Sequence, residues 1–193
     1  MLGLPRGGLP VAYEVASALD APLDVFIVRK LGVPGHEELA MGAIATGGVR
    51  VINEDVIAML AHARRALDEV TAREQQELER REREYRGNRP RPDFHGRTAI
   101  VVDDGLATGA TMRAAVEALR RLEAGRIVVA VPVGSPDTCL EFEDKVDEII
   151  CGIAPPHFSS VGQFYEDFGQ TTDAEVSELL ERAAREYATR HPA

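Results

Sequence analysis

The chain of 193 residues has no tryptophan, two cysteines, two lysines and no long apolar run, and each shortage excludes something. The apolar stretches are short, as at 25–28 and 127–133, far from the roughly 20 residues that a membrane-spanning helix needs. The N-terminus, MLGLPRGGLP, has neither a charged lead nor a long apolar core. No secretory signal is expected, and the cytoplasm is the expected compartment. Cys139 and Cys151 stand apart, with no CxxC pair and no Cys/His companion spacing. Zinc and a disulfide framework are therefore not expected, and the pair reads as two reduced thiols in or near the core. Net positive charge is lacking as well: 22 basic residues face 32 acidic ones, for a formal charge of −10. That balance argues against a general nucleic-acid or membrane-surface binder. Lys30 and Lys145 are the two lysines, and an arginine excess of this kind can reflect base composition alone.

What is present is ordinary globular material, 45% apolar and 28% charged. The length suits one domain, 1–193, able to bury its own core. Strand-like and helix-like patterns alternate. Residues 24–28, 98–102 and 126–133 are apolar, β-branched runs of the kind buried on both faces of a sheet; 146–151 is a weaker candidate and Leu2–Leu4 a further one. Helical patterns cover 10–20, 109–123 and 136–145, and Met112, Val116, Leu119 and Leu122 make one buried stripe. The fold class is therefore α/β, a doubly wound, mostly parallel sheet of about five strands. Residues 43–97 interrupt the alternation. A hairpin is expected at 43–52 around Gly47-Gly48, then one long charged helix over 53–86, capped by Asn53 and stopped at Gly87-Asn88. Its stripe is Val56, Leu60, Ala63, Leu67 and Val70, thinning to Leu78 and Tyr85. The later part reads as a solvated helix laced by i,i+4 ion pairs, or as an arm packing on a partner subunit.

The chemistry concentrates at 100–113, IVVDDGLATGATMR. A buried strand runs into Asp103 and Asp104, a small-residue loop follows, and a helix begins near Gly109. The carboxyl end of a strand at a helix N-terminus is where doubly wound folds bind ligands. Gly105, Ala107, Gly109 and Ala110 leave backbone N–H groups accessible to an anion, and Thr108 and Thr111 add hydroxyls. A free phosphate would be repelled by two adjacent carboxylates. A ribose 5-phosphate would not: its phosphate fits the loop while its 2- and 3-hydroxyls reach back to the acidic pair, and Mg2+ can share the region. A nucleotide P-loop would need a lysine after Gly109, and a dinucleotide fingerprint would need GxGxxG; neither is there.

VVDDGLATGATM resembles the phosphoribosyl pyrophosphate motif of type I phosphoribosyltransferases, and the similarity runs along nearly the whole chain, from LPRGG to the YEDF segment. The resemblance implies that Asp103, Asp104, Gly105, Leu106, Ala107, Thr108, Gly109, Ala110 and Thr111 bind the donor, with Asp103 and Asp104 also holding Mg2+, directly or through water. It places pyrophosphate at Arg6, Gly7 and Gly8, in a loop of unusual backbone conformation, and at Arg29 and Lys30 where the second strand ends. Asp103, Asp104, Lys30 and Arg6 are the implied catalytic set. Residues 31–42 correspond to a mobile covering loop hinged on Gly32, Gly35 and Gly42, although the usual cation is absent and His36 with Glu37 and Glu38 stands there. Residues 154–170 correspond to a hood, in which Phe158, Phe164, Tyr165, Asp167 and Phe168 would meet a flat acceptor. Alanine at 107 makes a 6-oxopurine acceptor less expected and is tolerated in adenine-type relatives. The family has a helix before its first strand, so a shortened chain or misassigned start is expected at Met1.

The implied function is Mg2+-dependent transfer of ribose 5-phosphate from phosphoribosyl pyrophosphate to a small heterocyclic base, in a cytoplasmic homodimer with no nucleic-acid or membrane partner. The alternative is a non-catalytic sensor of phosphoribosyl pyrophosphate or a nucleotide on the same fold. A phosphoacceptor or Mg2+-dependent phosphatase on a similar sheet is a third reading, and it would need a receiving lysine or a DxD arrangement.

Overall fold

The computed structural model describes residues 1–59 and 63–192. Leu60 of the expected helix stripe lies outside the described residues. In chain order the elements are β1 (Leu2–Gly3), α1 (Gly8–Ala18), β2 (Asp24–Val25), β3 (Val28–Val33), β4 (His36–Ala45), β5 (Val49–Ile52), α2 (Glu54–Met59) and α3 (Ala63–Arg86). They continue with β6 (Thr98–Val102), α4 (Ala110–Arg121), β7 (Arg126–Val133), α5 (Pro136–Glu143), β8 (Glu148–Ile153), a 3-10 turn (Val161–Phe164) and α6 (Asp173–Arg190).

The β-branched runs pair in parallel, in the order β2-β1-β6-β7-β8. Val101, Val102, Ile127 and Val129 are fully buried, as strands covered on both faces require. Two cores flank the sheet. One gathers Leu9, Ala12 and Tyr13 of α1, Leu78 and Tyr85 of α3, and Val176 and Leu180 of α6. The other gathers Met112, Ala115, Val116 and Leu119 of α4 with Phe142 of α5. This is the doubly wound α/β arrangement. It brings the C-terminal ends of β1 and β6 side by side.

A second sheet, β3-β4-β5, is antiparallel, and it corrects two expectations. The run 24–28 is not one strand ending at Arg29 and Lys30; β2 stops at Val25, and both basic residues sit inside β3. Residues 31–42 are not an irregular loop but most of the β3–β4 hairpin. The alternation of buried Leu31, Val33, Met41 and Ala43 explains why. Gly32 and Gly42 sit where close packing excludes a side chain: a Cβ would lie 2.7 Å from the Glu37 carbonyl oxygen and 2.2 Å from that of Val51. The expected hairpin at Gly47-Gly48 is present, and both glycines adopt positive φ, 91° and 76°.

Asn53 caps α2 by accepting from Val56 N at 3.3 Å, and α3 ends before Gly87. The far half of α3 carries the ion pairs expected of a solvated helix, such as Arg81 with Glu77. Its inward face is nonetheless buried, with Leu78 and Tyr85 at 1% and 2% exposure. Cys139 and Cys151 are joined in a disulfide, with an S–S distance of 2.15 Å, correcting the reading of two separate thiols. The packing of α5 beside β8 puts their Cα atoms 6.6 Å apart, a proximity that spacing along the chain does not reveal. Among the described residues no helix is long and apolar enough to cross a membrane.

Candidate active site

β6 delivers the acidic pair. Its last residues are fully buried, so Asp103 leaves the sheet in a desolvated position, where its Oδ1 accepts from Asp104 N at 3.0 Å. Burial, and then repulsion from Asp104, push the Asp103 carboxyl well above the usual carboxylate range. Burial raises Asp104 as well. No cation pairs with either carboxylate among the described residues. A buried pair of like charges with no counter-ion costs stability, and a bound hydroxyl or cation would offset that cost.

The loop after the pair is held from outside. Leu106 bridges to Gly134 beyond β7, donating to Val133 O at 2.9 Å and accepting from Ser135 N at 2.8 Å. Thr138 of α5 donates its hydroxyl to Ala107 O at 2.7 Å, and Arg113 donates Nη2 to Thr108 O at 2.7 Å. With those carbonyls engaged, the unpartnered first-turn N–H groups of α4 remain for an anion. Gly109 caps α4 at φ 70°, and a Cβ there would meet Phe142 and Thr138 at 2.9 Å. Glycine is required at this corner.

The Leu4–Gly8 loop closes on the pair from the β1 side. Leu4 N donates to Val102 O at 2.9 Å, and the Pro5–Arg6 peptide is cis. A Cβ on Gly7 would stand 2.2 Å from Asp104 Oδ2, and one on Gly8 2.9 Å from Asp103 Oδ1. The two glycines thus let a backbone lie directly against two carboxylates. Arg6, next in line, sits 3.9 Å through Nη1 from Asp173 Oδ1 at the start of α6.

The segment 154–170 arrives from β8. Tyr165 donates its hydroxyl to Asp104 O at 2.6 Å, and Val161 packs on Gly105, where a Cβ would come within 2.5 Å. Burial and the two aspartates raise the Tyr165 pKa, so the hydroxyl keeps its proton. Phe158 stacks on Phe164 at 5.9 Å, and Tyr165 meets Phe168 at 5.2 Å. Asp167 is exposed and accepts from Gly169 N at 2.9 Å.

The basic pair on β3 divides. Arg29 donates to Glu74 of α3 at 2.5 and 2.9 Å, away from the acidic pair. Lys30 lines a cavity of about 890 Å3 between the second sheet and α4, together with Thr111 and Arg113. The structure therefore gathers 103–111, Arg6–Gly8 and Tyr165 at one point, whereas Lys30 is tied to it only through the cavity it shares with Ala110 and Thr111 at the start of α4. Residues not singled out from sequence also act here: Thr138 and Arg113 shape the loop, and Asp173 meets Arg6. Only for Asp173 was a local signal present, the Thr172-x-x-Glu175 capping box that starts α6.

Comparison with known proteins agrees with this geometry. The family model described as phosphoribosyl transferase domain matches residues 1–168. Two Mycobacterium tuberculosis proteins, each named "Putative phosphoribosyl transferase" (Rv0571c of strain H37Rv and MT0597 of strain CDC 1551), are 49% identical over 188 residues. The match takes in 97% of this chain and 42% of each relative, so the chain spans less than half the length of the curated relatives it matches. The crystal structure of TT1426 from Thermus thermophilus superposes with a TM-score of 0.82 at 40% identity, over 94% of this chain and 86% of that one.

Proposed function

We propose that this chain, which belongs to the phosphoribosyl transferase domain family, transfers ribose 5-phosphate from phosphoribosyl pyrophosphate to a nucleobase nitrogen and releases pyrophosphate. The observation that carries the reading is the half-buried acidic pair, with no cation against it among the described residues, between the loop before α4 and the glycines of the β1 loop. The 5-phosphate would lie on the first-turn N–H groups of α4 with Thr108 and Thr111. The ribose hydroxyls would donate to Asp103 and Asp104, and Arg6 with the Gly7 and Gly8 backbone would receive the pyrophosphate. Two carboxylates fit the protein's usual share of a Mg2+ site, whose other ligands are substrate phosphates and water. When bound, the ion would offset charge accumulating on the leaving pyrophosphate.

The reaction breaks the C1–O bond to pyrophosphate, which leaves with the electron pair, while the acceptor nitrogen bonds C1 and gives up its proton. The ribose ring gains positive charge on the way, and the Asp103–Asp104 pair stands where it would stabilise that charge. The protein's work is positioning and electrostatics, with no covalent nucleophile. Phe158, Phe164 and Tyr165 would form the acceptor's stacking surface, with Asp167 at its rim. Location in the cytoplasm and assembly as a homodimer belong to the same proposal.

The test is pyrophosphate release from phosphoribosyl pyrophosphate with Mg2+ across a panel of purine and pyrimidine bases. Base-dependent release that Asp104→Asn and Thr108→Val abolish is the expected result. Binding without release across the panel would favour the sensor reading, and no binding by the folded chain would overturn both.

A further inference from the structure

Arg6 is the cation of the Leu4–Gly8 loop, and it pairs with a residue outside the stretch 1–168 that the family model matches: Asp173, first residue of α6. The Nη1 to Oδ1 distance is 3.9 Å, within ionic reach but too long for a hydrogen bond. Asp173 itself is fixed. Tyr85, a core residue of α3, donates its hydroxyl to the same Oδ1 at 2.5 Å, and Arg80 Nη2 stands 3.8 Å from Oδ2. Its own helix is fixed too, by the Thr172–Glu175 capping box and by Arg89, which donates to Leu180 O at 3.3 Å.

A carboxylate held by Tyr85 and Arg80 beside a loop arginine can do one of two things. It can compete with an incoming anion for the guanidinium, or it can anchor one corner and leave the other donors to that anion. The geometry decides between them. The contact runs through Nη1 at 3.9 Å, no hydrogen bond joins the pair among the described contacts, and a guanidinium carries five donors on separate edges. Among the described residues no hydrogen bond has to be broken for a second anion to bind the remaining donors.

We propose that Asp173, held by Tyr85, is a positioning residue for Arg6: it anchors one corner of the guanidinium so that the remaining donors meet the pyrophosphate of the donor. The inference rests on the transferase reading above, which places pyrophosphate at Arg6. It extends the site to α6 and, through Tyr85, to the long helix α3. Order in those two helices then contributes to donor affinity without touching the donor.

The test compares three ligands by calorimetric titration of the full chain: phosphoribosyl pyrophosphate with Mg2+, pyrophosphate with Mg2+, and ribose 5-phosphate, which does not engage Arg6. Asp173→Asn keeps the shape and an acceptor for Tyr85 while removing the charge. It should weaken the two pyrophosphate-bearing ligands about five-fold, the worth of one partly exposed ion pair, and leave ribose 5-phosphate unchanged. Tyr85→Phe should give a smaller loss of the same selectivity, and Asp173→Glu should restore part of it. In the Arg6→Ala background, Asp173→Asn should cost nothing further. Equal losses for all three ligands would mean a structural role, and tighter pyrophosphate binding would mean a competitor; either overturns the inference. If Arg6→Ala weakens pyrophosphate but Asp173→Asn does not, only this inference falls. If Arg6→Ala changes nothing, the placement of pyrophosphate falls with it.

Discussion

Glu77 and Asp103 are both carboxylates in a crowded acidic neighbourhood, and the fold treats them in opposite ways. Glu77, on the outer part of α3, accepts from Arg80 at 2.8 and 3.0 Å and from Arg81 at 2.7 Å. Those hydrogen bonds, Arg80's first, hold its pKa down to about 2. Asp103 has no cation against it among the described residues, and burial followed by the Asp104 charge pushes it up. One carboxylate is matched within the chain; the other has no match among the described residues, as the proposed ligand site requires. The contrast is a physical criterion for telling a structural charge from a site charge, and it needs no knowledge of the ligand.

The comparison can be broken most severely at the pair itself. The double substitution Asp103→Asn with Asp104→Asn should cost more than about 100-fold in affinity for phosphoribosyl pyrophosphate, from two charge-assisted hydrogen bonds lost. The unligated protein should unfold at an equal or higher temperature, because a like-charge repulsion has gone. Calorimetric titration and scanning calorimetry on the same samples check both halves. Gly7→Ala comes next. Its backbone, φ −59° and ψ −32°, is ordinary for alanine, so the effect comes from the Cβ set 2.2 Å from Asp104 Oδ2. Overpacking of this kind should destabilise by about 1–3 kcal/mol in chemical denaturation and displace the pair from its ligand geometry.

Two smaller effects sharpen the contrast. Asp103 has a raised pKa in the fold, so the native state holds its proton more tightly than the unfolded chain does. Its contribution is full below the ordinary value of 3.8 and is lost as pH rises through its folded pKa. The melting temperature of Asp103→Asn should therefore gain on that of the wild type as pH is raised from acid through neutrality. Glu77 has the opposite sign: its contribution is present above 4.5 and is lost as pH falls toward about 2. Because the Glu77 pairs are near the surface, Glu77→Gln should cost no more than about 0.5 kcal/mol at neutral pH and leave donor affinity unchanged.

How much of this was legible in the sequence follows from which signals are local. β6, α4 and the loop 103–111 are spelled out by contiguous residues, a β-branched run, two acids, small residues and a helical stripe, and they fold as read. The second sheet was not legible, because Gly32 and Gly42 look like hinges until the strands that crowd them are in place. The Cys139–Cys151 bond needs α5 beside β8, a fact of packing rather than spacing. Thr138, Arg113 and Asp173 are ordinary polar residues on helices, and only the tertiary fold puts them on the loop carbonyls and on Arg6. The unmatched state of Asp103 was likewise invisible; the two acids were plain, but the absence of a cation beside them among the described residues is a property of three dimensions.

In the proposed site the acidic pair reads ribose hydroxyls while the loop before α4 reads the phosphate. The measurement that tests it most directly is a side-by-side calorimetric titration of the wild-type chain with ribose 5-phosphate and with 2-deoxyribose 5-phosphate. Loss of one hydrogen bond to a charged carboxylate predicts binding weaker by about ten-fold or more for the deoxy sugar. Equal affinities for the two would mean that the acidic pair has no part in recognising the sugar, and the proposed site would fall.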